Sequence, residues 1–284
     1  MKIFNHDSFG KKSVLKFESF TFSGGEEHVR FDAIDLSNTV KIEIFSRLTD
    51  SSALIQLMMA VDALKRLTNE TLPIELIAPY FPYARQDRVC VKGEALGAAV
   101  MANFINQLHF SKVTIWDAHS DVSPALLSRV INVDQISLLA RCDELNHRLK
   151  KGELTLISPD AGANKKTIKI AEAFNGEPEV IQAQKVRNLK TGEILKTEIM
   201  GDVKDKKVLI ADDICDGGRT FIELAKVLKN NGAIEVSLFI THGIFSKGLG
   251  VFEGLIDSIY TTDSFRPAAE FINNSNVKLH IINM

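Results

Sequence analysis

The sequence is poor in cysteine, in long apolar runs and in net charge. Its three cysteines, Cys90, Cys142 and Cys215, are widely spaced and form no CxxC pair, which argues against a cysteine metal site and favours a reducing cytoplasm. No apolar run approaches the ~20 residues of a membrane-spanning helix, and the N-terminus lacks the apolar core of a signal peptide. A formal net charge of −2 gives no general attraction to nucleic acid or anionic membranes. We therefore expect a cytoplasmic protein that binds neither nucleic acid nor a membrane.

The remaining composition is that of an ordinary globular protein. Hydrophobic residues make up 45% of the chain and charged residues 25%, which are usual proportions. The 284 residues fit two domains of roughly 140 residues each. We expect these domains at 1–143 and 144–284, although no Pro- or Gly-rich stretch marks the boundary.

Apolar periodicity alternates between strand and helix patterns along both halves of the chain. The clearest helix starts after a cap at Ser51-Ser52, and its apolar spacing predicts that Met58 and Met59 fill the core. Strands are predicted at 39–45, 74–78, 112–116, 154–157, 208–211, 234–240, 256–260 and 277–282, and helices at 53–67, 94–108, 137–149 and 165–174. Such alternation predicts an α/β fold of two similar, doubly wound, largely parallel-sheet domains.

One stretch carries the clearest chemical signal. The apolar run Val208–Ala211 predicts a buried strand, and Asp212, Asp213 and the small-residue loop Asp216–Thr220 follow it before a helical pattern begins. The amides of such a loop and of a helix N-terminus favour a phosphate. The two carboxylates can accept hydrogen bonds from vicinal ribose hydroxyls. The alternative is that the acid pair only caps the helix.

Polar residues follow three other predicted strands as well. Because ligands of parallel sheets lie beyond the carboxyl ends of the strands, four such ends together favour a convergent site over separate helix caps. A histidine between two acids at a strand end favours a functional role for His119, whereas Cys215 is more typical of a small buried thiol than of a nucleophile. The three further strand ends are followed by Tyr83–Arg88, Asp117–Asp121 and Ser158–Gly162.

With these motifs the chain resembles the ribose-phosphate pyrophosphokinases, also called phosphoribosyl pyrophosphate synthetases, and is identified as a short member of that family. The resemblance covers essentially the whole chain in the family's motif order, and it implies two phosphoribosyltransferase-like domains, an ATP-site domain followed by a ribose-phosphate-binding domain. The matching motifs are Phe22–Glu26, Val61–Arg66, Pro79–Arg88, Asp117–His119, Ser158–Gly162, Asp212–Thr220 and Thr241-His242.

The resemblance implies transfer of the β,γ-diphosphate of ATP to the anomeric hydroxyl of ribose 5-phosphate, with release of AMP. It also implies Mg²⁺ as the cofactor and a dimer-based homo-oligomer, up to a tetramer or hexamer, in which a neighbouring subunit supplies the residues at the adenine. The ATP-binding residues would be Phe22, Gly24 and Glu26, which border the adenine, together with Arg85, Gln86 and Asp87. The ribose-phosphate-binding residues would be Asp212, Asp213, Asp216, Gly217, Gly218, Arg219 and Thr220. The metal ligands would be Asp117, His119 and Asp160.

A pair of cations completes the set of catalytic residues that the resemblance implies. The family has a mobile loop with a Lys-x-Arg pair, with which Lys185 and Arg187 align, and His119 joins them as a catalytic residue. Two cations there could neutralise the charge that grows on the transferred diphosphate. The alternative is a solvated basic loop, since Lys190 and Lys196 lie nearby in the sequence.

The loop Asp216–Thr220 departs from the family's Asp-Thr-x-Gly-Thr, because a threonine is lost and Arg219 is gained. A guanidinium suits bidentate phosphate recognition. Arg219 could tighten binding of ribose 5-phosphate, point into solvent, or neutralise a second phosphate and so admit ADP-ribose, an acceptor that some phage-borne relatives are thought to use.

Three further alternatives bear on function and regulation. A phosphoribosyltransferase shares the acid-pair loop but needs neither the Arg85-Gln86-Asp87 string nor an adenine turn. A non-catalytic, synthetase-associated regulatory subunit should have lost catalytic residues, yet His119, Lys185 and Arg187 are present. Val91–Leu96 replaces a basic segment of the family and the C-terminus is shorter, so regulation by phosphate or ADP and hexameric assembly do not follow from the resemblance.

Overall fold

The computed structural model describes residues 1–32, 34–174, 176, 180–187 and 194–283, with the backbone alone for 185–187 and 194–197. Within it the chain forms two compact units, Met1–Val133 and Asp134–Met284. The division lies ten residues before the predicted boundary at 143/144. The reason is that a short helix directly after Asp134 bonds to the second unit through Gln135, whose side-chain amide donates to the carbonyl of Asp212 at 2.9 Å.

The first unit is built on a six-stranded sheet with the strand order β2-β1-β5-β6-β7-β8. Strands β5 to β8 are parallel, as predicted, while β1 pairs antiparallel with both β2 and β5. Its strands are β1 (Lys2–Asp7), β2 (Lys12–Leu15), β3 (Glu18–Thr21), β4 (Glu27–Arg30), β5 (Thr39–Phe45), β6 (Ile74–Ile77), β7 (Lys112–Trp116) and β8 (Val130–Val133). Its helices are α1 (Ser51–Thr68), α2 (Gly97–Gln107) and α3 (Val122–Leu126).

Helix α1 shows how sequence pattern and packing meet in this unit. Its cap is Asp50, one residue before the predicted pair, and the Asp50 carboxylate accepts from the backbone N–H of Ala53 at 2.8 Å. Apolar residues at helical spacing, among them Leu57 and Leu64, are fully buried. The prediction that Met58 and Met59 fill the core is wrong, since their exposed fractions are 38% and 43%. Both lie on the side of the helix that faces solvent.

Strands β3 and β4 form a separate antiparallel hairpin. Its turn contains Phe22–Glu26, and the backbone N–H of Phe22 donates to the carbonyl of Glu26 at 2.8 Å. Side chains alternate between the two faces of a strand. On one face Val29 is buried in the core of the first unit, whereas Phe20, Phe22 and His28 are in ring contact with one another on the other face.

The second unit is built on a seven-stranded sheet with the order β11-β10-β9-β12-β13-β14-β15, parallel except for the pair β10–β11. Its strands are β9 (Thr155–Ser158), β10 (Val180–Arg187), β11 (Ile194–Met200), β12 (Lys207–Cys215), β13 (Glu235–Gly243), β14 (Ser258–Thr262) and β15 (Lys278–Ile282). Its helices are α4 (Gln135–Leu139), α5 (Asp143–Lys150), α6 (Asn164–Phe174) and α7 (Arg219–Asn230).

The strand order of this sheet reverses beside β9. The chain runs outward from β9 to β10 and β11, then returns to the other side of β9 as β12. A crevice at the carboxyl ends of the strands forms where the order of a parallel sheet reverses, and ligands of open α/β sheets bind there. The two strands that flank this point are the ones that the sequence pattern marks with Asp160 and Asp212.

The single helix predicted at 137–149 is two helices in the structure. Helix α4 ends at Leu139 and α5 begins at Asp143, after a turn in which the backbone N–H of Cys142 donates to the carbonyl of Leu139 at 3.0 Å. Both helices have buried leucines, such as Leu138 and Leu145. The continuous apolar pattern therefore reflects two short helices with buried leucines and not one continuous helix.

Among the helices that the structure describes, none is long and apolar enough to cross a membrane.

Candidate active site

The acid pair lies inside strand β12 and not after its end. β12 continues to Cys215 because its last residues pair with the long strand β13, with Asp212 opposite Ile240 and Ile214 opposite His242. Asp213 is 5% exposed, and its backbone N–H donates to Oδ1 of Asp212 at 2.9 Å. The ladder hydrogen bonds thus fix the backbone of both acids at the carboxyl end of the sheet.

Negative charge accumulates at this edge of the sheet. Burial of its carboxyl, followed by the charge of Asp213 and a side-chain hydrogen bond with it, raises the pKa of Asp212 well above its usual value, and the charge of Asp160 adds to the effect. The three carboxyl groups of Asp160, Asp212 and Asp213 therefore interact across the point where the strand order reverses. Such a cluster is suited to donors and cations, namely sugar hydroxyls and a divalent metal ion.

Asp160 belongs to a tight turn after β9. The hydroxyl of Ser158 donates to the carbonyl of Asp160 at 2.7 Å, and Oδ1 of Asp160 accepts from the backbone N–H of Ala163 at 3.1 Å. One carboxylate oxygen of Asp160 is therefore engaged in the turn that leads to α6.

The loop from Asp216 to Gly218 connects β12 to helix α7. Gly218 has φ 77°, in the left-handed region that favours glycine. A Cβ atom there would also lie 2.5 Å from Cζ of Phe252. The backbone N–H of Ser246 donates to the carbonyl of Asp216 at 3.2 Å. Backbone geometry and packing thus both require glycine at this point of the loop.

Arg219 and Thr220 lie in the first turn of α7, two residues earlier than the sequence pattern predicts for the helix start. The cap residue Gly218 has no side chain that could accept from the N–H groups of the helix, and no acidic residue lies in the first turn. The N–H groups of a helix N-terminus and its dipole favour an anion. Arg219 is exposed there and adds a positive charge at the predicted place of a phosphate.

The structure adds two residues of the second unit that the sequence pattern does not reveal. Cε of Lys247 lies 3.6 Å from where a Cβ atom of Gly217 would be, so this lysine runs along the loop. Gln135, 2% exposed, donates to the carbonyl of Asp212 and, at 3.3 Å, to Oγ1 of Thr241. Gln135, which is itself bonded to Thr241, thus holds the backbone of Asp212 in place. Both residues lie far from it in the sequence, and only the fold brings them there.

His242 of the motif Thr241-His242 lies within β13 and is buried, and its Nδ1 is 2.8 Å from the hydroxyl of Ser264. Cys215 is fully buried, and burial and then the charges of Asp212 and Asp216 raise the pKa of its thiol. A thiol with a raised pKa is a poor nucleophile, which confirms the interpretation of Cys215 as a buried thiol.

In the first unit, the loop after β6 carries Arg85, Gln86 and Asp87. Both polar groups of the Gln86 backbone are hydrogen-bonded. Its N–H donates to the carbonyl of Tyr83 at 2.9 Å, and its carbonyl accepts from the backbone N–H of Ala98 at 3.1 Å. Its side chain lies against Gly97, the first residue of α2: a Cβ atom on Gly97 would be 2.3 Å from Oε1 of Gln86. The absence of a side chain at Gly97 thus makes the room that Gln86 occupies.

Asp117 and His119 follow β7, the strand next to β6 in the sheet. Asp117 is 2% exposed, has φ 41°, and donates its backbone N–H to the carbonyl of Val133 at 2.7 Å. The backbone N–H of Ala118 donates to Oδ1 of Asn132 at 3.1 Å. Bonds to β8 therefore fix the start of this loop, and His119 is exposed beyond it.

The remaining predicted residues lie in the hairpin and in β10. Phe22, Gly24 and Glu26 are exposed in the hairpin turn of the first unit. The backbones of Lys185 and Arg187 belong to β10 of the second unit, where they pair with β11. Their side chains lie outside the described residues, so their predicted role in charge neutralisation stays a prediction.

Within the described residues, no three histidine, cysteine or acidic side chains form a ready metal cage. Mg²⁺ does not require one, because proteins usually hold it through one or two carboxylates together with substrate phosphates. A single carboxylate such as that of Asp160, at the carboxyl end of the sheet, is a donor that such an ion accepts.

A parallel sheet that carries an acid pair, a glycine loop and an uncapped helix N-terminus is the arrangement expected of an α/β protein that binds a ligand with a phosphate group. Two family models match the chain, one in each unit. Residues 10–108 match the N-terminal domain of ribose phosphate pyrophosphokinase, and residues 159–282 match the phosphoribosyl synthetase-associated domain.

Curated relatives and a solved structure agree with these matches. The chain is 31% identical to a ribose-phosphate pyrophosphokinase of Cereibacter sphaeroides over 80% of this chain and 67% of the relative. It is 30% identical to one of Mycoplasma pneumoniae over 88% of this chain and 76% of the relative. The crystal structure of phosphoribosylpyrophosphate synthetase from Mycobacterium smegmatis superposes with a TM-score of 0.79 at 22% identity, covering 95% of this chain and 87% of the other.

The chain belongs to the ribose-phosphate pyrophosphokinase family. The predicted fold of two largely parallel-sheet α/β domains is confirmed.

Proposed function

We propose that this chain is a ribose-phosphate diphosphokinase, which transfers the β,γ-diphosphate of ATP to the anomeric hydroxyl of ribose 5-phosphate and releases AMP. The curated relatives carry the name of this activity. The observation that carries the proposal is the acid pair Asp212-Asp213 beside the glycine loop and the N-terminus of α7.

The second unit supplies what a ribose phosphate requires. Asp213 and Asp212 present acceptors for two vicinal hydroxyls, and the uncapped N–H groups at Gly218 and the first turn of α7 present donors for the phosphate. Burial of Asp213 strengthens the hydrogen bonds of its carboxylate, because the local dielectric constant is low. In the first unit, Arg85 and Gln86 are the proposed contacts to ATP.

Phosphoryl-type transfer depends mainly on positioning and charge neutralisation. Mg²⁺, when bound, would supply charge neutralisation on the phosphates. The metal ligands that the family resemblance implies, Asp117, His119 and Asp160, stay proposals. Lys185 and Arg187 are the proposed cations that stabilise the charge on the transferred group.

The proposal is tested by turnover of the purified protein. It is incubated with ATP, Mg²⁺ and ribose 5-phosphate, and AMP is measured against sugar consumed, with Asp213→Asn as the variant and EDTA as the metal-removal control. We expect AMP and consumed sugar in equal amounts, a loss of at least about tenfold in kcat/KM for the sugar in the variant, and no turnover with EDTA. Release of ADP in place of AMP would contradict the proposal.

A second candidate acceptor is ADP-ribose, and the positive charge around the loop favours it. Arg219 is exposed at the N-terminus of α7 and Lys247 runs along Gly217, so two cations adjoin the place proposed for the sugar's phosphate. If they select a diphosphate ester, Arg219→Gly should raise the KM for ADP-ribose more than the KM for ribose 5-phosphate. Equal effects on the two constants would rule out this selectivity.

The proposal includes a homo-oligomer, which light scattering on the purified chain measures directly. If neither acceptor supports AMP release, the chain is to be tested as a regulatory subunit, by its effect on the turnover of an active synthetase.

A further inference from the structure

The hairpin β3–β4 depends on its attachment to the rest of the first unit. It forms its own two-stranded sheet and pairs with none of the six strands of the main sheet. An isolated two-stranded hairpin is at best marginally stable in water. The position of its turn, with Phe22, Gly24 and Glu26, must therefore be set by contacts with neighbouring elements.

Glu27 makes those contacts on the face of the hairpin that meets α1. One carboxylate oxygen, Oε1, accepts from the hydroxyl of Ser52 at 2.6 Å and from that of Thr21 at 3.1 Å. The other, Oε2, accepts from the side-chain amide of Gln56 at 2.9 Å, and Gln56 also donates to Ser52 at 3.3 Å. One carboxylate thus joins both strands of the hairpin to two successive turns of the helix.

The charge of Glu27 suits its position. Ser52 lies in the first turn of α1, where the helix dipole favours a negative group. The hydrogen bonds from Ser52 and then from Gln56 hold the pKa of Glu27 below its usual value, so the carboxylate is ionised at neutral pH. Its immediate neighbour in the sequence is Glu26, a residue of the proposed adenine site.

We propose that Glu27 is a positioning residue for ATP, which fixes the hairpin turn on α1 through Ser52 and Gln56. The inference rests on the proposed function and on the prediction that Phe22, Gly24 and Glu26 border the adenine. Glu27 itself bonds to the helix and is not a proposed substrate contact.

Glu18 provides a matched control on the same hairpin. Its carboxylate accepts from Arg30 at 2.7 Å, and these side chains are 56% and 60% exposed. Exposed ion pairs contribute little to stability. The carboxylates of Glu18 and Glu27 both join β3 to β4. Within the part of the chain that the structure describes, only that of Glu27 also bonds to α1.

The experiment compares Glu27→Ala, Glu27→Gln and Glu18→Ala in the full chain. Steady-state assays give kcat and the KM for ATP and for ribose 5-phosphate, and hydrogen exchange follows the backbone amides of residues 18–30. We expect Glu27→Ala to raise the KM for ATP about tenfold with the sugar KM within about twofold, and to speed exchange in 18–30. Glu27→Gln keeps an oxygen acceptor for Ser52, so its KM for ATP should lie between that of the wild type and that of Glu27→Ala.

Two outcomes for the single variants would overturn the proposal. One is a KM for ATP in Glu27→Ala that equals that of Glu18→Ala. The other is an equal loss in all kinetic constants with a lowered melting temperature, which indicates a general structural role. The double variant Ser52→Ala/Gln56→Leu removes the anchor from the helix side and should reproduce Glu27→Ala; wild-type constants in it would also overturn the proposal.

A failure of the proposed function is distinguishable from these outcomes. If the wild-type chain turns over no ATP with either acceptor, calorimetric ATP affinity replaces KM. A tenfold weaker affinity of Glu27→Ala, with faster exchange in 18–30, would then still support the anchor, and wild-type affinity would refute it.

Discussion

Replacement of Gly97 by alanine tests how this chain places Gln86. The added Cβ atom would lie 2.3 Å from Oε1 of Gln86 and 3.0 Å from both its Cβ and its Cδ. Rotation of the outer side-chain torsions can remove the contact with Oε1. It cannot remove the contact with Cβ, which moves only with the backbone. The loop after β6 and the start of α2 must therefore separate by a few tenths of an ångström.

Overpacking of this kind costs about 1–3 kcal/mol, so the free energy of unfolding from urea denaturation should fall by that amount and the midpoint should fall with it. Because the displaced amide belongs to the proposed ATP site, the KM for ATP should also rise, while the KM for ribose 5-phosphate stays near the wild-type value. Gly250→Ala is the matched control, since nothing lies within 4 Å of a Cβ atom there. An unfolding free energy of Gly97→Ala equal to that of the control would refute the reasoning.

Three further predictions concern the second unit. Asp212→Asn should stabilise the protein at pH 8. The pKa of Asp212 is raised in the folded state, so the favourable contribution of this carboxyl group to the free energy of unfolding is full below its pKa in the unfolded state. That contribution is lost as the pH rises through its pKa in the folded state. Melting temperatures from pH 4 to 8 should show the gain of the variant vanish towards pH 4, and a variant less stable at pH 8 would contradict this. Gly218→Ala should cost about 1–3 kcal/mol in denaturant unfolding, because of its φ of 77° and the ring of Phe252; an unchanged midpoint would count against it. Lys247→Ala should raise the KM for the sugar phosphate severalfold without affecting that for ATP, in steady-state kinetics; an unchanged sugar KM would remove this lysine from the site.

Most strands and helices of the parallel sheets could be predicted because they have a strong apolar pattern, whereas β8, with half-buried and exposed residues, was not predicted. β5 and β7 have the predicted bounds. Element ends were predicted less well, since tertiary pairing decides them. β12 runs on through Asp212 and Asp213 only because β13 offers partners as far as Gly243, although acids are poor strand formers.

The differences between the predicted and the observed structure have the same physical source. Met58 and Met59 carry the helical apolar pattern, but which stripe of α1 is buried depends on the sheet beneath it. The unit boundary depends on Gln135, whose hydrogen bonds reach residues 77 and 106 positions away.

Position at the strand ends was enough to indicate that Asp160, Asp212 and Asp213 lie close together, whereas the roles of the predicted site residues stay predictions. Lys247 and Gln135 could not be predicted, because neither belongs to a local motif and both depend on the fold for their position. Glu27 lies directly beside the motif Phe22–Glu26, yet its partners on α1 become visible only once the hairpin is placed.

In the proposed reaction, two phosphates of ATP move together to the sugar. ATP labelled with ³²P at the β position tests this step when it is incubated with Mg²⁺, ribose 5-phosphate and the purified chain and the products are separated. We expect the β label in the sugar product and unlabelled AMP as the released nucleotide. Label retained in ADP, with transfer of the γ-phosphate alone, would contradict it.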